Sequence, residues 1–213
     1  KKSRYFSPSF SPDGKTLCVV EVTLDNSHYI TILDLDGRVV QRLQAGSIEV
    51  KYPAWLNDTV IAVVAVSNRG KAIETRNLVT GEHKNVMPYQ YNEISDLLSH
   101  NQYLLYRSNS DGIDNIFAID TRSGDHIYQI THSLFGAYYP SIGVDSLTLF
   151  FSEYANNGFN IVSVGLDTTR WERKDMEKEN LQPVVEADTA VFPASRYSKI
   201  GHAFNIHSWL PFY

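Results

Sequence analysis

"RSNSDGIDNIFAIDTRSG", residues 107–124, decides the fold. A polar loop leads into an alternating apolar run, and the run ends in an Asp and a Gly turn. Three carboxylates, Asp111, Asp114 and Asp120, admit three readings: a metal loop, a catalytic pair, or the punctuation of a β-hairpin. The calcium-loop spacing D-x-[DN]-x-[DN]-G is not met. What decides among the remaining readings is whether the pattern occurs once or recurs.

It recurs. Four segments line up: 5–43, 51–87, 91–131 and 138–174. Pro8, Pro53 and Pro140 each introduce a short run, and Ile94 is read as taking that place in the third unit, giving steps of 45, 41 and 46 residues. Each unit continues with a turn and then an apolar strand: "TLCVVEV", "TVIAVVAV", "YLLYRS" and "TLFFSEY". Such β-branched and aromatic runs suit strands covered on both faces. A polar loop and a third strand follow: "YITILDL", "AIETRNL", "IFAIDT" and "IVSVGL". A Gly turn and a fourth strand close the first three units. In the fourth, "DTTR" replaces the Gly turn and the last strand is poor. A period of roughly 40–46 residues made only of β-type segments is that of a propeller blade. The expected fold is therefore all-β: a β-propeller of about four four-stranded antiparallel blades, a partial or complete ring, with a non-repeating tail over 175–213. A loop present in every unit reads as structural rather than catalytic.

The residues "FSPSFSPDGKTL" with "ITILDLDG", and "YRSNSDGIDNIFAIDTRSG", resemble the repeat of the TolB-type propellers, also called WD40-like or PD40 repeats. The resemblance covers residues 5–174. It implies six or seven blades as a rule, of which four are visible here. It implies a periplasmic or cell-envelope scaffold that binds proteins or peptides. Similar blades gate the α/β-hydrolase of the prolyl oligopeptidase and dipeptidyl peptidase IV group, which needs a G-x-S-x-G elbow. These 213 residues contain no such elbow. "GHAFNIHSWLPFY" also resembles a linker of large envelope proteins in which propeller repeats precede an outer-membrane barrel. The opening "KKSRYFSP" and the apolar ending suggest a piece of a longer protein.

Composition narrows the partners. Net charge is −5 with both signs interspersed, which argues against nucleic acid. No apolar run approaches the ~20 residues of a membrane-spanning helix. The lone Cys18, inside "KTLCVVEV", reads as a small buried hydrophobe. Seven histidines show no zinc spacing, and those beside hairpin loops, His28, His83 and His126, are expected to face solvent. No metal or cofactor is expected, and no catalytic residue is assigned. The mixed-charge run "RWERKDMEKEN" (170–180) reads as a solvated helix or linker.

A propeller binds through its channel and its loop-rich faces. The loops between second and third strands should lie together, which nominates Asp25, Asn26, Asn68, Arg69, Asp111, Asp114, Asn156 and Asn157 as a ligand surface. In the tail, Trp209, Phe212 and Tyr213 read as an interface patch. Open blade edges offer a route to a homo-oligomer, and two copies paired across a two-fold would make eight blades. The functions that follow are a binding scaffold, a peptidase propeller without its hydrolase, or a glycan-binding propeller whose aromatics stack sugars.

Overall fold

The computed structural model describes residues 3–46, 48–122 and 126–175, all within one compact unit. Trp209, Phe212 and Tyr213 lie outside the described residues. The chain forms four antiparallel β-sheets arranged as a four-blade propeller, and the only helical element described is a single 3₁₀ turn.

Blade one contains β1 (Ser3–Phe10), β2 (Thr16–Thr23), β3 (His28–Asp34) and β4 (Val39–Gln44). Blade two contains β5 (Glu49–Trp55), β6 (Val60–Ser67), β7 (Gly70–Asn77) and β8 (His83–Gln90). Both are meanders in sequence order. The first strand of each blade lies innermost, and contacts run from β1 to β5, from β5 to β9 and from β9 to β13. Among the described strands, blades one and four do not touch.

Blade three contains β9 (Ser95–His100), β10 (Tyr103–Ser108), β11 (Asn115–Asp120) and β12 (Ile127–Gln129). Among the described residues blade four has three strands, β13 (Ala137–Ile142), β14 (Thr148–Ala155) and β15 (Gly158–Gly165). Beyond β15, Asp167 caps a 3₁₀ turn over Thr168–Arg170, its carboxylate accepting from the Thr169 N–H at 3.0 Å. The chain then leaves its own blade. The strand β16 (Glu172–Lys174) pairs with β12 and becomes the fifth strand of blade three. This corrects the reading of 170–180 as a helix or linker at its start. Trp171 is buried, with its ring 4.9 Å from Tyr103 and 6.0 Å from Tyr128, and that anchor carries the following residues to the edge of blade three. Residues 176–180 lie outside the described residues.

Three apolar layers hold the blades together. Cys18, Val20, Ile30 and Ile32 of blade one meet Trp55, Ile61 and Val63 of blade two. Ala62, Val64 and Ile73 of blade two meet Leu104, Tyr106, Phe117 and Ile119 of blade three. Leu105, Ile116 and Ala118 of blade three meet Leu149, Phe151, Val162 and Val164 of blade four. Successive side chains of a strand point to opposite faces, so β6 supplies both of its layers from one run, "IAVVA", all fully buried. Cys18 is fully buried as expected, and burial pushes its thiol pKa up to about 12. His83 is exposed, whereas His28 and His126 are half-buried rather than solvent-facing. His126 Nδ1 meets the Arg173 guanidinium at 3.1 Å, a contact created by β16.

Candidate binding site at the channel mouth

Each innermost strand carries a β-bulge at the same place. The ladder registers shift between Phe6 and Ser9, between Lys51 and Ala54, and between Tyr138 and Ser141, and in blade three they shift opposite Leu105 and Arg107. At each bulge two residues face one on the partner strand, which bends the inner strand. The first of the two has left-handed backbone: Ser7 (φ 49°), Tyr52 (φ 50°), Asp96 (φ 52°) and Tyr139 (φ 53°). The second is Pro8, Pro53, Leu97 or Pro140. Proline has no N–H to give a ladder, and a bulge is one of the few places in a sheet that accepts it. The proline anchors of the sequence therefore mark bulges. The third anchor is Leu97, not Ile94, which precedes β9 and is buried between blades two and three.

The bulges bring the four blades' inner strands around a common channel. Two cavities that share Ser9, Leu97, Leu98 and Pro140 run end to end. One, about 440 Å³, is lined by Ser7, Tyr52, Pro53, Asp96, Tyr139 and their neighbours. The other, about 550 Å³, is lined by Phe10, Trp55, Leu56, Ser99, Asn101 and Ile142, among others. The first opens toward the face that carries the turns between second and third strands, because β1 starts where β2 ends: Ser3 pairs with Thr23.

One charged group organises this mouth. Arg107 Nε donates to Asp96 Oδ2 at 2.8 Å, and Nη1 donates to Asp114 Oδ1 at 2.6 Å. The guanidinium also lies 5.3 Å from the Tyr138 ring centre. Burial opposes the charge on Arg107, but the two carboxylates outweigh it and raise its pKa. Tyr52 has its phenol pKa raised by burial and by nearby Asp96, and Tyr138 by burial and by Asp114. Both phenols therefore stay protonated at neutral pH and can donate hydrogen bonds. The mouth thus offers aromatic rings, proline surfaces and an acid held rigid by arginine.

The nominated turn residues share this face, yet several are occupied in building it. Asp114 belongs to the Arg107 cluster. Asp111 accepts from Gln129 Nε2 at 2.9 Å. Asp25 accepts from the hydroxyls of Thr23 and Ser27 across its own turn, and Asn26 takes the left-handed position (φ 60°). The Asn68 carbonyl accepts from Tyr91 at 3.4 Å, and Arg69 lies 5.2 Å from the Tyr89 ring centre. Asn157 accepts from Asn160 at 3.1 Å, and Asn156 sits beside it in the same turn. None of the eight lines the channel cavities. The residues that do, Ser7, Tyr52, Asp96 and Tyr139, escaped the sequence reading. For Ser7, Tyr52 and Tyr139 the signal was the position before a proline, which reads as strand rather than bulge; Asp96, before Leu97, carries no such mark.

No protein-family model matches this sequence, and no curated protein sequence matches it. Solved structures do. The Agrobacterium tumefaciens TolB superposes with a TM-score of 0.62 at 14% identity, over 80% of this chain and 64% of that one. TolB from Acinetobacter baumannii gives 0.61 at 15% identity, over 81% and 43%. A puromycin-hydrolyzing peptidase of Mycobacterium tuberculosis gives 0.62 at 16% identity, over 90% and 30%. The chain spans less than two thirds of each of these neighbours. With the bulged inner strands and layered blades, these likenesses establish the fold: four blades of a β-propeller like those of the TolB and peptidase structures.

Proposed function

We propose that this chain is a non-catalytic binding propeller, one segment of a larger bacterial cell-envelope protein, which holds a protein or peptide segment at the channel mouth. The observation that carries this reading is the ring of Ser7, Tyr52, Asp96 and Tyr139, one from each blade, around a cavity of about 440 Å³. Tyr139 is 69% exposed there, and rigid aromatic side chains lose little entropy on contact. Asp96 is fixed by Arg107 and can accept from a backbone N–H without first being ordered. The TolB neighbours favour a scaffold of this kind. A periplasmic location follows from the same reading.

The test is selection of a displayed random-peptide library on the purified chain. Peptides that enrich on the wild type, and lose binding at least tenfold on a Tyr52→Ala, Tyr139→Ala variant, support the site. Enriched peptides indifferent to both substitutions would move the site elsewhere. No enrichment, with binding instead on a glycan array, would favour the sugar-stacking reading. A second reading is favoured by the 90% coverage in the peptidase superposition: the propeller of a serine peptidase. A G-x-S-x-G elbow on a strand–helix turn elsewhere in the same gene product would decide for it.

A further inference from the structure

The blades share one ladder register, so each interface between blades can be compared with the next at matching positions. The inner-strand residue just before the bulge pairs with Val20 in blade one and with Val64 in blade two. Two residues further along the second strand, Val22 pairs with His28 and Val66 with Lys71. His28 and Lys71 are therefore counterparts. On the inner strand of the following blade, Glu49 and Glu93 each stand three residues before the left-handed bulge residue, Tyr52 or Asp96.

Between blades two and three these positions meet. Lys71 Nζ donates to Glu93 Oε2 at 2.5 Å across the interface, with its side chain 21% exposed. Between blades three and four the counterparts are Asp114 and Gly136. Asp114 turns to Arg107 of its own blade, and a Cβ on Gly136 would collide with the Tyr138 ring. At both interfaces these positions are filled. Between blades one and two the shorter imidazole of His28 stands where blade two has a lysine. Glu49 is held by Lys51 of its own strand at 3.1 Å, and the buried Nδ1 of His28 has no partner among the described residues. A slot of about 280 Å³ remains, lined by Phe6, Val20, Val22, His28, Glu49 and Val50, among others.

The slot matches a lysine side chain. Val20, Val22 and Val50 offer an apolar wall to an alkyl stem, as Val66 does beside Lys71. At the polar side Glu49 Oε2 can accept while Oε1 keeps Lys51, and His28 Nδ1 accepts when the ring proton sits on Nε2. A buried nitrogen without a partner costs free energy that a ligand N–H would recover. An anion would have to compete with Glu49 for Lys51, whereas an ammonium need not. The volume lies just under the ~300 Å³ at which small-molecule pockets begin, which suits one side chain rather than a whole ligand. Ser7 and Tyr52 line both this slot and the cavity at the channel mouth, so the slot branches from the mouth.

We propose that the slot between blades one and two is a lysine pocket, which takes the ammonium-tipped side chain of the segment held at the channel mouth between Glu49 and His28. The source of that side chain rests on the reading of the mouth; the chemistry of the slot does not. Saturation-transfer NMR on the whole chain tests it with two probes, N-acetyl-lysine amide and N-acetylnorleucine amide, the second lacking the ammonium. The lysine amide should bind saturably, and the norleucine amide about tenfold more weakly for want of the charge-assisted hydrogen bonds. His28→Lys places in the slot the side chain that Lys71 places in the next, and should abolish lysine-amide binding with an unchanged circular dichroism spectrum. Glu49→Gln, if the first fails to fold, should weaken it about tenfold. No saturable lysine-amide signal, equal binding of the two amides, or binding unmoved by both variants overturns the proposal. Displayed peptides that enrich on the wild type should share a lysine that His28→Lys no longer selects. Enriched peptides without a shared lysine overturn the pocket and leave the mouth standing. Lysine-amide binding with no enriched peptide upholds the pocket and removes the mouth.

Discussion

The second and third strands of blades two and four match in length and register, yet the second strands see different surroundings. In β6 the residues Ile61 to Ala65 are all 0% exposed, because blade one covers one face and blade three the other. In β14, Leu149 and Phe151 are buried against blade three while Phe150 and Tyr154 between and beyond them face outward. The strand patterns record this: β6 reads "VIAVVAVS" and β14 reads "TLFFSEYA". Burial in this fold is thus set by a blade's place along the arc as much as by its own residues. Ile73 and Ile161 make the point, since residue type and ladder position are the same and only the neighbour differs.

The largest expected effect separates these two isoleucines. Ile73→Ala should destabilise by about 2–5 kcal/mol, the ordinary result of emptying a closed core site. Ile161→Ala should stay within about 0.5 kcal/mol in the monomer, as an exposed position does. Urea denaturation of both variants at low protein concentration measures the gap. Equal losses would mean that blade four is covered and would break the comparison.

A second pair compares a third strand that has an outer partner with one that has none among the described residues. Gly70 and Gly158 open the third strands of blades two and four at matching positions, with φ +100° and +106°. A Cβ on Gly70 would lie 2.2 Å from the Gln90 carbonyl oxygen of β8, whereas one on Gly158 meets nothing within 4 Å. Gly158→Ala should therefore cost only its backbone strain, roughly 1–2 kcal/mol. Gly70→Ala adds the clash, for a total of roughly 2–5 kcal/mol. Thermal melting of the two variants would sharpen the contrast, and its size reports the packing of β8.

The smallest effect concerns the polar finish on blade one, for which blade four has aromatics. Burial alone would raise the Glu21 pKa, but hydrogen bonds from Arg42, Ser3 and Thr31 outweigh it and hold the carboxyl below its usual range. A depressed folded-state pKa contributes stability that is present above the unfolded value and is lost as pH falls through the folded one. Wild type should therefore exceed Glu21→Gln in stability at neutral pH, and the difference should shrink on acidification below about pH 4.3. Denaturation midpoints of the two proteins across pH 3–7 read this difference directly. A gap that widens in acid would contradict the sign.

The blade count and strand order were legible because the repeat is written in residues that act locally. Gly14 and Gly37 sit in turns at φ +68° and +79°, where the Asp-Gly dipeptides of "FSPSFSPDGKTL" and "ITILDLDG" favour a turn. The apolar runs of β2, β6, β10 and β14 stand where their β-branched and aromatic residues placed them. The candidate site was less legible. Asp111 and Asp114 drew attention as acids in a loop, but Gln129 and Arg107 claim them, and both partners come from other strands. Tyr52, Asp96 and Tyr139 looked like ordinary strand residues, because a bulge is a property of two paired strands; its trace is a proline after Tyr52 and Tyr139, and Asp96 has none.

The sequence by itself determined an all-β chain of four repeats, the hairpin turns within them and the buried Cys18, since turn chemistry and a period of two act over a few residues. Only the tertiary structure decided which acids are occupied, where the channel opens, that β16 deserts blade four for β12, and that Ile161 stands uncovered while Ile30, Ile73 and Ile116 do not. Those outcomes depend on which blade lies next to which. Burial is a relation between surfaces far apart in the chain, and four identical isoleucines carry no mark of whether a neighbour will arrive.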